Sequence, residues 1–408
     1  MANGTNNLPA GWEAKSLGEV AQVKGGKRVP KGYKLQAAPT DHPYISVKDF
    51  NEDGSIDANE VRFVSDDVFE QISRYTVSSR DVYISIAGTI GKSGIVPPEL
   101  DGANLTENAC KLVLDEGAYP RFIYFFTRTE SFREQAGSRT RVAAQPKLAL
   151  SRLATIEIPL PPLTEQERIV GILDEAFEGI AAATANAEKN LQNARELFQS
   201  VLGSTFSQKG DDWEEAVFSE LCRKITVGYV SSMKRHYRTT GISFLRSQNI
   251  RPFAVNTKNL MFVDSDFEAT ITKSRLFPGD VAIVRTGYPG TAAVIPEWLG
   301  EANCSDLVIV RPKEVIDPHF IVAFFNSPVG RRMVGGRLVG AAQKHFNVAA
   351  AKRTLFPFPP LSSQKAIVEK LDALSEETKR LETIYERKKA ALAELKQSLL
   401  QKAFSGQL

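Results

Sequence analysis

The sequence predicts two mixed α/β (α+β) domains in tandem, each followed by a long helix. The two helices are expected to pair as an antiparallel coiled coil, giving an internal repeat with a pseudo-twofold axis. Three observations lead there. A chain of 408 residues is too long for one ordinary core. The stretch IPLPPLTEQERIVGILDE at 158–175 returns, 198 residues on, as FPFPPLSSQKAIVEKLDA at 356–373. After each copy, apolar residues recur in alternating steps of four and three, the seam of a coiled coil rather than a broad globular face.

The repetition extends beyond the proline motif. At the same offset ELFQSVLGSTFS (196–207) matches ELKQSLLQKAFS (394–405), and GSRTRVAAQ (137–145) matches GGRLVGAAQ (335–343). With a small shift, RDVYISIAGTIGKSGIVP (80–97) matches GDVAIVRTGYPGTAAVIP (279–296), and Trp12 with SLGEV is echoed by Trp213 with VFSEL. Within each domain, DVYISIA and DVAIVRT read as strands running into glycine turns, and CKLVL and DLVIVRP as further strands. PRFIYFFTRTESFREQ and PHFIVAFFNSPVGRRM open on proline and turn helical. TIEIPLPPL and TLFPFPPL read as last strands closed by two prolines, which can continue neither a ladder nor a preceding helix.

For the first long helix, Thr164 and Glu167 fit a capping box. For the second, Ser362 can cap, but Lys365 stands where the reciprocal acid would be. The first seam runs through Ile169, Leu173, Ala176, Ile180, Ala183 and Ala187, and the second through Ile367, Leu371, Leu374, Leu381, Tyr385 and Leu392. Thr378 and Lys388 weaken the second. Each helix would be about 65 Å long, and a polar-flanked helix of that length needs a partner. The other copy is the nearest one. The expected segments are a domain at 1–163, a spacer helix at 164–207, a second domain at 208–361 and a C-terminal helix at 362–408.

Composition excludes several classes. No apolar run approaches the length of a membrane span, and the N-terminus lacks the basic and apolar regions of a secretory signal. Three scattered cysteines, Cys110, Cys222 and Cys304, suit reduced thiols of a cytoplasmic protein and not a zinc site or disulfide framework. GTIGKS ends like a phosphate-binding loop, but Ile86 stands where its first glycine is required. LPPL and FPPL lack the polar first and aromatic last residues of an amino-methyltransferase motif. No GxGxxG, HExxH or GxSxG occurs, and the four histidines are scattered. Neither a catalyst nor a metal or cofactor site is expected in this chain.

Charge is informative through its distribution, since the net value is only +3. Residues 24–34 carry five basic residues and no acid, 223–251 seven and 331–353 six, while 52–70 hold seven acids. Any one cluster fits a solvated surface. Recurrence at matching places in both halves favours basic faces turned to a polyanion. Lys and Arg suit phosphates, and Arg, Gln and Asn can bond base edges bidentately. The candidate contacts to double-stranded DNA in the first half are Lys24, Lys27, Arg28, Lys31, Lys34, Lys48, Thr89, Lys92, Arg139, Arg141, Gln145 and Lys147. In the second they are Lys234, Arg235, Arg238, Arg246, Gln248, Asn249, Arg285, Tyr288, Arg337, Gln343, Lys344 and His345. The frames of the halves are alike and these loops differ, so two different half-sites are expected.

LPAGWEAKSLGEVAQV, GTIGKSGIV, PLPPLTEQERIVGILDE, their echoes and the terminal LKQSLLQKAFSGQL resemble a specificity subunit of a type I restriction-modification system, over nearly the whole chain. The resemblance implies two target recognition domains, each gripping one half of a bipartite DNA sequence, and antiparallel spacer helices that fix the distance between halves. It also implies docking of two methylation subunits, which bind S-adenosylmethionine and methylate adenine, and a restriction subunit that cleaves. The helix starts, with Thr164, Gln166, Ile169, Gln364 and Ile367, would meet the partner. Ser363 and Lys365 depart from Glu165 and Glu167 of the first copy. The rivals are a specificity subunit of a methylation-only system, a protein-binding coiled-coil scaffold and a methyltransferase acting in cis.

Overall fold

The computed structural model describes residues 8–140, 146–336 and 345–408. The chain forms two compact units: Met1–Ala187 with Arg387–Leu408, and Glu188–Glu386.

In the first unit, strand Glu13–Ser16 pairs antiparallel with Glu157–Leu160, bringing the two ends of the domain together. Between them lies an antiparallel sheet in the order Ala21–Gly25, Ala109–Leu114, Val82–Ser85, Ser93–Ile95. Successive side chains of a strand face opposite ways, so this sheet separates two cores. Val82 and Ile84 pack with Phe122, Ile123 and Phe126 of helix Pro120–Thr127, whereas Tyr83 joins Phe50, Val96 and Leu105. A smaller sheet orders Arg62–Phe63, Pro43–Ile45 and Asn104–Leu105, the last two parallel.

The second unit has the same order of strands. Glu214–Val217 pairs with Leu355–Phe358, and the main sheet runs Cys222–Val227, Leu307–Pro312, Val281–Val284, Ala292–Val294. Val281 and Ile283 pack on Phe320 and Phe324, while Ala282 and Val284 face Leu245, Leu276 and Ile295.

The long helices span Leu163–Ser207 and Leu361–Phe404. Both begin one residue before the expected start, because the first helical amides bond the second proline's carbonyl. Glu165 and Gln166 donate to Pro162 O at 2.9 and 3.0 Å, and Gln364 donates to Pro360 O at 3.0 Å. Thr164 and Ser362 therefore lie inside the first turn, and the expected Thr164–Glu167 capping box does not form.

The end of each helix closes an aromatic core. In the first unit, Phe404 contacts the Phe122 ring at 4.8 Å and Phe126 at 5.6 Å, and Leu400 and Ala403 are buried beside Leu173. Arg168 donates to Leu408 O at 2.7 Å and Lys396 lies over the Phe177 ring, so these two helix segments run in opposite directions. In the second unit, Phe206 packs on Phe320 and Phe324 at 5.2 and 5.4 Å, and Arg195 bonds Glu382 at 2.9 Å. Leu202 shares a core with Leu371, giving the same opposed directions there.

Candidate nucleic-acid interface

Strand register brings the candidate loops together at one edge of each main sheet. In the first unit, Gly25 stands opposite Cys110 and Ser85 opposite Ala109. The chain beyond these positions is then tied down. Gly26 donates to Ala109 O (3.1 Å), Lys27 to Leu105 O (2.8 Å), Ile86 to Asn108 O (2.8 Å), Thr106 to Ile45 O (3.0 Å) and Leu148 to Ile86 O (2.9 Å). Thus the 26–34 loop, the 46–49 turn, the 86–92 hairpin and Lys147 share one edge. Gly26 is required there, since a Cβ would lie 2.1 Å from Thr106 O.

Lys24, Lys31, Lys34, Lys48 and Lys147 are exposed with no ion pair among the described residues. Lys27 is exposed and lies 5.6 Å from the Tyr75 ring centroid. Arg28 pairs with Glu107 at 2.6 Å, yet its side chain remains 77% exposed. Such a surface pair is weak and readily exchanged for a phosphate. Burial pushes the Glu107 carboxyl up, but Arg28, its own amide and Thr106 outweigh it and hold it below the usual range. Thr89 is exposed at the hairpin, where its carbonyl accepts from Ser85 Oγ. Lys92 turns inward, donating to Phe50 O at 3.3 Å and pairing with Glu52 at 2.7 Å. Arg139 bonds Thr155 and Gln135 O.

In the second unit, Gly228 donates to Leu307 O, Tyr229 to Cys304 O, Ser305 to Leu245 O and Phe346 to Arg285 O, all at 2.8–3.1 Å. The 228–238 loop, the 246–249 turn, the 285–291 hairpin and the half-buried His345 therefore share the corresponding edge. Lys234, Arg235 and Gln248 are exposed, and Tyr288 is 76% exposed. Arg238 pairs with Asp264 at 2.7 Å. Arg246 donates to Asn259 O at 2.8 Å and lies over the Tyr237 ring, and Arg285 faces Asp306 at 3.6 Å. The Nε of both Arg246 and Arg285 is buried without a partner.

Several expected contacts take other positions. Asn249 is fully buried: its Oδ1 accepts from Arg246 N (3.0 Å) and its Nδ2 donates to Asn256 O (2.9 Å), so it ties the turn shut and is not available to DNA. Gln166 and Gln364, expected to meet a partner, are fully buried clamps at the two domain–helix joints. Gln166 Oε1 accepts from Tyr119 N (2.8 Å) and its Nε2 donates to Gly117 O and Pro161 O (both 2.9 Å). Gln364 does the same with Asp317 N, Val315 O and Pro359 O at 2.8–3.1 Å. Ile169 is 1% exposed within the first core and so offers no docking surface, Ile367 is half-buried against the second core, and Thr164 is exposed. Arg141, Gln145, Arg337, Gln343 and Lys344 lie outside the described residues. Arg251 and Arg331, not singled out from the sequence, border a pocket beside Gln248 and Tyr288; both lay within the acid-free basic runs.

Other chemistry finds little footing. All three thiols are buried, and burial pushes those of Cys110 and Cys222 up to about 12. Among the described residues, no three His, Cys, Asp or Glu side chains are placed to hold a metal, and no helix is long and apolar enough to cross a membrane.

Two α/β units with lysine-bearing loops on a sheet edge, joined to helices of 45 and 44 residues, define a tandem-domain class of protein. Residues 9–192 match the family described as type I restriction modification DNA specificity domain. The chain is 23% identical to the type I restriction enzyme EcoKI specificity subunit of Escherichia coli (strain K12), over 98% of this chain and 90% of that one. It is 26% identical to the putative MjaX specificity subunit of Methanocaldococcus jannaschii, over 92% and 90%. In fold it resembles a chain from a study of complex assembly and conformational transition of the type I R-M system, with a TM-score of 0.79, 20% identity and 99% and 100% of the two chains covered. It also resembles the HsdS subunit of Thermoanaerobacter tengcongensis, with a TM-score of 0.66, 20% identity and both chains covered throughout. Residues 9–192 thus match a type I restriction modification DNA specificity domain, and the chain as a whole is similar in sequence and fold to specificity subunits of type I systems.

Proposed function

We propose that this chain is the non-catalytic DNA-reading subunit of its complex and recognises an asymmetric bipartite target, one half-site per unit. The observation that carries the reading is the convergence, in each unit separately, of basic loops at one sheet edge. Exposed unpaired lysines there suit phosphates, and the loop-tip Gln248 and Tyr288 suit bases. The halves differ because the two edges carry different side chains on the same strand order.

The long helices act as an antiparallel coiled-coil spacer that fixes the gap between half-sites. Two methylation subunits, which would carry S-adenosylmethionine, dock on the chain, and a restriction subunit joins in a system that cleaves. The clamps at Gln166 and Gln364 suit a ruler, since a stiff joint transmits helix length to domain spacing. The experiment is duplex binding across ionic strength. Displacement of several phosphate counterions predicts affinity falling steeply and log-linearly with salt; a protein-only scaffold would show no such slope.

A further inference from the structure

The two hairpins that face the candidate interface differ in one consequential way. In the first unit, Lys92 lays its chain across the gap between the hairpin and the 46–52 turn, with its ammonium held by Phe50 O and Glu52. In the second unit, Thr291 stands where the repeat places Lys92, and among the described residues no lysine makes the corresponding contact. A pocket of about 630 Å³ opens there instead. Gln248, Arg251, Tyr288 and Arg331 border it, and the buried Ile250 and Val284 close its depth.

Its chemistry matches a flat aromatic heterocycle. The depth is apolar, as a stacked ring face requires, and Gln248 at the rim has the paired donor and acceptor that recognise a base edge. Tyr288 projects from a turn fixed by Gly287 and Gly290 at φ +84° and +88°, with Gly290 N donating to Val284 O at 3.0 Å. An aromatic ring held outward in this way is a stacking platform for a base. Arg331 spends Nε on Asn326 O at 3.3 Å, leaving its terminal nitrogens without a partner among the described residues and placed for a neighbouring phosphate.

We propose that the second unit captures one unstacked nucleobase of its half-site in this pocket, against Tyr288, while the first unit, plugged by Lys92, reads stacked DNA only. This rests on the DNA-reading function above. The test uses the full chain and duplexes carrying its target, with 2-aminopurine placed at one position at a time across both half-sites. One position of the second half-site should brighten several-fold on binding, and a mismatch at that pair should tighten binding, since a weakened pair is easier to open. Tyr288→Ala should abolish the brightening and weaken binding about ten-fold, the order of a lost base–aromatic stack. Thr291→Lys, which imports the plug of the first unit, should abolish it as well. Tyr288 is mostly exposed, so its variant keeps the test valid if Thr291→Lys fails to fold. Tight binding with no bright position, or brightening unchanged in Tyr288→Ala, overturns the pocket alone. Absence of salt-dependent binding by the wild-type chain overturns the DNA-reading function itself.

Discussion

Asp81 in the first unit and Asp280 in the second occupy the same place before the same strand, and both are buried. Their cations come from different ladder positions. Lys111, opposite Tyr83, reaches Asp81 at 2.9 Å; Arg311, two residues beyond the partner of Ala282, grips Asp280 with two 2.8 Å bonds. Each Asp also accepts a backbone amide three residues earlier, Ser78 N or Phe277 N. The backbone requirement is kept and the side-chain solution is replaced. The same split separates frame from loops: Gln166 and Gln364 make matching bonds, whereas Lys92 binds across to Phe50 O and Glu52 and Thr291 lines a pocket.

The largest effects are expected at the aromatic closures. Phe206→Ala should cost the second unit about 3–5 kcal/mol, as for other buried phenylalanines. Hydrogen exchange should locate the loss within residues 188–386. Phe404 is only half-buried, so Phe404→Ala should cost the first unit less; equal losses, or losses in the opposite unit, would deny that each helix end closes one core. Next come the clamps. Gln166→Ala and Gln364→Ala each orphan one amide and two carbonyls, and each should cost about 1–3 kcal/mol, read by urea denaturation. Closely similar values are expected, because the bond sets match.

A difference in pH response should be smaller. Glu268 in the second unit is held below the usual carboxylate range, chiefly by the two hydrogen bonds from Arg275, with burial opposing. A depressed carboxylate stabilises the fold fully above its unfolded pKa and loses that contribution as pH falls through the folded one. Exchange protection around 265–276 should therefore decline below about pH 4.3, the ordinary value for Glu. The first unit has Phe69 at the matching helix position, and its 66–77 segment should lack this component. Smallest in free energy, Lys31→Ala and Lys34→Ala should each reduce the salt slope of DNA binding by about one and weaken all sequences alike.

Most of the frame was legible because it rests on local signals. Apolar runs leading into glycine turns marked the strands at 82–85 and 281–284, and proline starts marked the helices at 120 and 318. The loops were legible as basic but not in detail. Lys92, Asn249 and Gln166 read as available polar residues, yet their bonding partners are set by tertiary placement. Gln166 reaches a loop 47–49 residues earlier in the chain, and Lys92 a carbonyl 42 residues earlier. The capping box failed for a local reason: Pro162 O accepts from Glu165 N and Gln166 N, so the helix starts earlier and Thr164 lies inside its first turn, not at the cap.

In the proposed function each unit reads its own half of one target. Single-molecule methylome sequencing of cells that co-express this chain, as wild type or Gln248→Ala, with its methylation subunit tests it most directly. A bipartite motif with two unlike halves at a fixed gap is expected, with relaxation of one half only in the variant, by about 1–3 kcal/mol for a bidentate contact. A contiguous motif, or equal relaxation of both halves, would contradict it.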